Sequence, residues 1–452
     1  MTERRFGLIG DAKDQLVKRF LARRDHLPDP TSGDLRSTPD FSRIPDKFCR
    51  LDGFPGYERI AIPRAYGRRL GIEDPYFKVH EGVADATTTI GGRRYINFSS
   101  YNYLGLSGDA RVNDAAKEAI DRYGTSVSAS RLVAGERPVQ RDLEQAIAGL
   151  YGVDDCVAFV SGHATNVTTI ATLFGPKDLI VHDKLIHNSV LEGIALSGAA
   201  RRAFDHNDPE SLEDILTAHR GDFERTLIVI EGLYSMDGDI PHLPHFIDIK
   251  LRFKSFLMVD EAHSLGVLGQ TGRGIREHFG LPGNAVDIWM GTFSKALAGC
   301  GGFIAGESAL IEHLKYAAPG FVYSVGMTPA MAAASLAAIG IMLDEPQRVA
   351  RLRQRAGYFL ARAREQGVAT GTSGGHAIVP AMIGSSLNAT RLSQQLFARG
   401  FNVQPIIHPA VEERAARLRF FISTTHTEGQ IDAVLAAIGD RQHHALSPDD
   451  ER

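Results

Sequence analysis

Six short apolar runs, separated by stretches with helical periodicity, constrain this chain more than any other feature. They are CVAFV (156–160), DLIV (178–181), TLIVIE (226–231), FLMVD (256–260), DIWMG (287–291) and GFIAG (302–306). Several are apolar throughout, as strands are when a mostly parallel sheet is covered on both faces. The helical stripes have the matching period. DARVNDAAKEAIDRYG places Val112, Ala115, Ala119, Ile120 and Tyr123 on one face and stops at Gly124. PVQRDLEQAIAGLYG opens on Pro138 and repeats the stripe with Val139, Leu143, Ala146, Ile147 and Leu150. Strands alternating with helices predict an α/β fold. After Tyr323 come long helices with two further strands, AIVPAMI (377–383) and RLRFFIS (417–423), which predict a smaller α+β lobe.

At 452 residues the chain is too long for one simple domain. The expected division is an amino-terminal arm over 1–87, a large domain over 88–330, a small carboxyl-terminal domain over 331–440 and a disordered tail over 441–452. In the arm, DAKDQLVKRFLARR (11–24) predicts an amphipathic helix, followed by a linker rich in Pro, Ser and Asp. Fifty Lys plus Arg against 54 Asp plus Glu leave a net charge of −4, without the basic excess of a nucleic-acid binder. Cys49, Cys156 and Cys300 lie far apart with no CxxC pair, so neither a zinc site nor a disulfide framework is expected, and a reducing cytoplasm is. The start, MTERRFGLIG, has no signal-peptide core, and no apolar run of about 18 residues predicts a membrane span.

Chemistry concentrates where strands end. In GTFSKALAGCGG (291–302), Lys295 follows a strand, at the edge where α/β folds place ligands. A desolvated lysine there can lose its proton and attack a carbonyl, although the motif alone also suits a solvated loop lysine. In VDEAHSLGVLG (259–269), Asp260 closes a strand and His263 stands three residues on. A buried aspartate holds a heteroaromatic nitrogen protonated, the pairing that makes pyridoxal phosphate an electron sink. A helix cap with an unrelated histidine is the bland alternative. A metal reading is weaker, because no second acid–histidine group follows at ligand spacing. The strand–Ser161-Gly162-His163–helix junction offers backbone N–H groups to an anion, without the GxxxxGK[ST] pattern of an ATP or GTP site. His182 and His187 follow another strand, where a flat side chain can stack on a ring. Ser235, in EGLYSMDGDIP (231–241), can hydrogen-bond at the same mouth.

Together NFSSYNYLGLS, SRLVAGERPVQRDLE, SGHATN, HDKLIHNSV, EGLYSMDGDIP, VDEAHSLGVLGQTGRG, GTFSKALAGCGGFIAG and RLRFFISTTHT resemble the α-oxoamine synthases, pyridoxal phosphate enzymes of fold type I. The likeness runs from about Tyr95 to Ile438. In motifs it is strongest to serine palmitoyltransferase, through YNYLGL with Tyr101. The resemblance implies a transferase with Lys295 in imine linkage to pyridoxal phosphate, Asp260 at the pyridine nitrogen, His263 at the phenolic oxygen and His187 stacked on the ring. It implies a serine, Ser235, beside His187, and phosphate contacts from Gly162, His163 and Thr292. It places the substrate carboxylate on Arg419, with Arg417 as the neighbouring candidate, and substrate contacts at Tyr101 and Asn102. It also implies a homodimer in which APGFVYSVGMTP (318–329) reaches the neighbour's phosphate through Ser324. The reaction implied is condensation of an amino acid with an acyl thioester and loss of carbon dioxide, in lipid or polyketide-type biosynthesis, with 8-amino-7-oxononanoate or 2-amino-3-ketobutyrate synthase activity as the alternative within the family. His163 stands where the family commonly has an aromatic residue, and GTSVSAS is poorer in glycine than its counterpart, which touches acyl specificity. The long arm resembles segments that serve acyl carrier protein donors. The rival expectations are an aminotransferase or lyase on the same fold, a non-catalytic partner subunit and a plain nucleotide-binding protein. Lys295 argues against the second and the missing phosphate loop against the third.

Overall fold

The computed structural model describes residues 41–442. The helix expected over 11–24 and almost all of the expected tail lie outside the described residues. The chain divides into two compact units, one ending at Leu70 and one beginning at Gly71. The body therefore starts earlier than the expected 88.

The described part of the first unit has three short 3-10 turns, Phe41–Arg43, Asp46–Cys49 and Leu51–Gly53, and a helix, Pro55–Arg69. None of their side chains is buried. The helix escapes sequence reading because Gly56, Gly67 and an internal Pro63 lower its propensity. Pro55 at its first turn costs nothing, since no N–H is needed there.

The second unit opens with a hairpin of β1 (Thr87–Ile90) and β2 (Arg93–Asn97). The central sheet follows, built from β3 (Asp155–Phe159), β4 (Leu179–Asp183), β5 (Ala200–Phe204), β6 (Thr226–Glu231), β7 (Phe256–Asp260), β8 (Ile288–Thr292) and β9 (Gly302–Gly306). Their order is β3-β9-β8-β7-β6-β4-β5. β9 is antiparallel to both neighbours and the other pairs are parallel. All six expected strands are present. β5, ARRAF, was not anticipated: it is an edge strand with Arg201 and Arg202 exposed, so it carries no apolar run. Two apolar cores contain alternate residues of the sheet, such as Ile228 and Ile230 in one and Leu227 and Val229 in the other. Trp289 is fully buried and donates its indole N–H to the Gly283 carbonyl at 2.8 Å.

The small lobe carries β10 (Ile378–Met382), β11 (Phe401–Asn402), β12 (Gln404–Ile406) and β13 (Arg417–Phe421). β13 lies between β10 and β12, antiparallel to both, while β11 pairs parallel with β2. The hairpin therefore joins a strand some three hundred residues further on, a pairing no local pattern announces. The expected boundary at 331 falls inside the helix Pro329–Asp344, which packs on Ala110–Tyr123 and Pro138–Tyr151 of the large lobe. The small lobe's own core draws instead on residues such as Phe98, Phe359, Leu418 and Val434.

A buried charge network fixes the junction between SRLVAGE and the helix after it. Arg131 binds Glu144 and Glu136, and Glu144, fully buried, also accepts from Arg141 and the Ala158 N–H. Removing the buried cation leaves the fully buried Glu144 with only the part-exposed Arg141 and Lys315 as cationic partners. Arg131→Met should lower stability by about 3 kcal/mol, read as a fall in Tm. An unchanged Tm would show that the network contributes nothing.

Candidate active site

The parallel strands end at one edge, and the register there is exact in its consequences: Glu231 on β6 pairs with Asp260 on β7, and Asp260 with Met290 on β8. A cavity of about 280 Å³ opens at this edge and is lined by His187, Glu231, Asp260, His263, Thr292 and Lys295 among others. Gly162, His163 and Tyr101 complete its wall. A second cavity, about 460 Å³, meets it at Tyr101, Ser294 and Lys295.

Asp260 is 4% exposed and held by two donors, the Ala262 N–H and the Asn166 amide, each at 2.9 Å. Asn166 also donates to Ser189 Oγ at 2.9 Å, and Ser189 lies 2.7 Å from His187 Nδ1. One chain of hydrogen bonds therefore connects the carboxylate to the candidate stacking histidine. His187 caps the helix Asn188–Ser197, which fixes its ring at the mouth. Asn166 and Ser189 were not singled out from the sequence. The available signal was spacing: Asn166 is one helical turn beyond Gly162 and faces the same way.

Lys295 stands in the loop after β8, with Nζ 5.8 Å from the Tyr101 ring centre. Burial lowers its pKa to about 8, against the opposing pull of Asp260 and Glu231. His263 is pushed well below the ordinary histidine range by burial, with Lys295 and Arg419 adding to the effect. Its Nδ1 lies 2.8 Å from the hydroxyl of the fully buried Tyr103, a second partner the sequence did not flag. His187 is lowered too, by burial first.

Gly162 begins the helix Gly162–Leu173 behind the Ser161 cap. A Cβ on Gly162 would sit 3.0 Å from Thr292 Oγ1, so glycine is what allows the helix start this close to the strand end. Thr292 itself donates to the Gly301 carbonyl at 2.7 Å. His163 is exposed, edge-on to His187 at 6.4 Å.

Of the two arginines on β13, Arg417 is committed to Asp237 at 2.5 Å. Arg419 donates to the Ser235 carbonyl at 2.9 Å, lies over the Phe421 ring, and has no carboxylate partner among the described residues. Ser235 is buried, and its N–H donates to Glu231. Asn102 lines the larger cavity, and its side-chain amide donates to the Ala84 carbonyl at 2.8 Å and accepts from the Ser107 N–H at 3.1 Å. Ser324 lies outside the cavity lining of its own chain and donates to the Val325 carbonyl. His182, also considered at this mouth, is buried within β4, with Nδ1 2.8 Å from the Asp183 carbonyl.

Three loops at the mouth are pinned by His206, whose nitrogens lie 2.9 Å from Asp183 and from Asp239. Burial opposes its charge, but the two carboxylates outweigh burial and raise its pKa to about 10.

These residues fit pyridoxal phosphate. They supply a hydrogen-bonded carboxylate, a flat ring, a depressed lysine and a glycine-cleared helix start. Two buried oxygens, Asn166 Oδ1 and Glu231 Oε1, have no partner among the described residues. Fold and site define a fold type I pyridoxal phosphate-dependent transferase. The aminotransferase class I and II family model matches residues 93–438. An 8-amino-7-oxononanoate synthase of Fervidobacterium nodosum is 40% identical over 358 residues, covering 78% of this chain and 90% of its own. A serine palmitoyltransferase from S. paucimobilis, solved with a PLP–myriocin aldimine, superposes with a TM-score of 0.83 at 28% identity, covering 88% of this chain and 100% of its own. The 8-amino-7-oxononanoate synthase of Francisella tularensis gives 0.69 at 27%, covering 78% and 98%. The chain belongs to the aminotransferase class I and II family, as an α-oxoamine synthase. Among the described residues no helix is long and apolar enough to cross a membrane, and no group of three metal-ligating side chains occurs.

Only the neutral amine captures the cofactor's aldehyde, so the protonated form is the silent one. With a pKa of about 8, capture by Lys295 should speed up roughly tenfold per pH unit below pH 8 and level off above it. An ordinary lysine would keep accelerating toward 10.5. Stopped-flow absorbance reads the rate. Lys295→Ala should lose the borohydride-reducible adduct, and an adduct that persists would identify another lysine as the anchor.

Proposed function

We propose that the protein condenses an amino acid with an acyl thioester, releasing carbon dioxide, a thiol and an α-amino ketone. The observation that supports this most is Lys295 sharing one cavity with Asp260, beside an arginine, Arg419, that has no acidic partner of its own. Pyridoxal phosphate supplies an electron sink for the negative charge that develops at the substrate's α-carbon. Asp260 holds the ring nitrogen's proton, and Asn166 keeps that carboxylate in place. The Lys295 amine removes the α-proton and later returns one. His187 would stack on the cofactor's ring, and with Arg419 it would orient the substrate carboxylate until carbon dioxide leaves. Gly162 and His163 offer backbone N–H groups to the phosphate at a helix start. Thr292 adds its hydroxyl there only if it turns from Gly301. His263 and Ser235 would take the side of the cofactor's phenolic oxygen, and Tyr101 stands between the two cavities.

The acyl thioester enters through the larger cavity, whose wall includes His80, Thr88, Ser99, Ser100 and Gln404. The acyl group is a medium or long chain, as the serine palmitoyltransferase-like motifs favour. The name carried by the Fervidobacterium nodosum relative favours a second reading, 8-amino-7-oxononanoate synthesis. The deciding experiment offers each amino acid in turn and follows the cofactor's absorption. The amino acid that shifts it is then given acyl-coenzyme A, and carbon dioxide, free thiol and product mass are measured. Amine exchange without carbon dioxide would mean an aminotransferase.

The functional unit we propose is a homodimer in a reducing cytoplasm. Tyr323 is 86% exposed and Val325 50%, so the segment around Ser324 is free to meet a second copy. The first unit is proposed to meet the acyl donor's carrier protein. Phe41, Phe48, Leu51 and Ile62 are each at least two-thirds exposed, and basic residues outnumber acidic ones over 41–70. Such a surface suits an acidic carrier and an encounter that weakens with salt. A chain lacking residues 1–70 should stay dimeric in sedimentation and keep the amino-acid spectral shift. Its KM should rise more for a carrier-bound donor than for the coenzyme A thioester. Equal losses would assign the arm to stability alone, and an active monomer would refute the dimer.

A further inference from the structure

Glu231 has no role in the scheme above, yet it occupies the floor of the site. It ends β6 directly beside Asp260, is 3% exposed, and lines the same cavity as Lys295. Its Oε2 accepts the Ser235 N–H at 3.3 Å, and its Oε1 is buried with no partner. Two carboxyls on adjacent strand ends in a buried pocket are not both ionised without a large desolvation and repulsion cost. Hydrogen bonds decide which one carries the charge. Asp260 receives two N–H donors at 2.9 Å, which favour a carboxylate, whereas Glu231 receives a single long one. The proton goes to Glu231.

The groups that face it are Asp183 from β4, Tyr234 from its own loop, Asp260 from β7, Lys295 from the loop after β8 and Arg419 from β13. Burial, then Asp260, raises its pKa well above the carboxylate range. Oε2 is occupied by the Ser235 N–H, which leaves Oε1 to carry the hydrogen. Oε1 is a buried atom at the cavity wall with no hydrogen-bond partner among the described residues. Buried donors in native proteins find acceptors, so the missing one belongs to whatever binds there.

We propose that Glu231 is held as a neutral carboxylic acid whose Oε1–H donates a hydrogen bond to an oxygen of bound pyridoxal phosphate. This rests on the cofactor reading above. It keeps the floor of the site at a single negative charge, that of Asp260, and adds a donor on the ring side. Glu231→Gln preserves a neutral donor of the same shape, and Glu231→Leu removes it.

Infrared difference spectra of full-length wild type and Glu231→Gln, without added cofactor at neutral pH, should show a protonated-carboxyl stretch that only the wild type has. Absorbance titration with pyridoxal phosphate should then give Glu231→Gln a Kd within about threefold of wild type and Glu231→Leu one weaker by about tenfold, the effect of one neutral hydrogen bond. A missing band overturns the proposal, as does a tenfold loss in the Gln variant or wild-type affinity in the Leu variant. Should the Leu variant not fold, the band and the Gln variant still decide. If no form binds the cofactor, the donor role falls with the cofactor reading, while the band separately reports the proton.

Discussion

Burying carboxylates at the carboxyl edge of a parallel sheet is the constraint around which this molecule is arranged. β4, β6 and β7 end on Asp183, Glu231 and Asp260, all nearly inaccessible to water. Each needs an answer to its desolvation. Asp260 is answered by hydrogen bonds from Asn166 and Ala262, Asp183 by the His206 imidazolium, and Glu231 by a proton. Lys295 enters the same pocket and gives up much of its own proton affinity to burial. The site's reactivity and its burial are therefore one physical fact.

The mouth is rigid for the same reason. His206 ties the end of β4 to Asp239, and Arg417 ties β13 to Asp237 two residues before it. Glu261, next after Asp260, is fully buried and bonds Ser264 and the Ile275 N–H. A Cβ on Gly274 would strike that carboxyl, and φ of 80° there suits glycine on its own account. These contacts fix the loops before anything binds, which is the preorganisation that charge-stabilising sites require.

The small lobe contributes no residue to the lining of the smaller cavity and brings two arginines near it. β13 carries Arg417 and Arg419 two residues apart, hence on one face. Asp237 neutralises the first and leaves the second available to a carboxylate. The family likeness points to Arg419, and the physical difference between the two is made by a loop some 180 residues away.

What the sequence determined is the periodic part. Six strands of the central sheet show as apolar runs because both faces are covered, and strand ends place Asp260 and, just beyond, Lys295 at one edge by topology alone. Tertiary structure decided what depends on distant partners or on exposure. The edge strand Ala200–Phe204 lacks an apolar run because one side meets water. The pairing of β2 with β11 spans the chain, and the helix Pro329–Asp344 crosses the expected lobe boundary because its small apolar face fits the large lobe. Within the site, Asn166, Ser189, Tyr103 and Glu231 were invisible. A hydrogen bond is specified by where two atoms meet, and a one-dimensional pattern carries residue type and spacing but not that meeting.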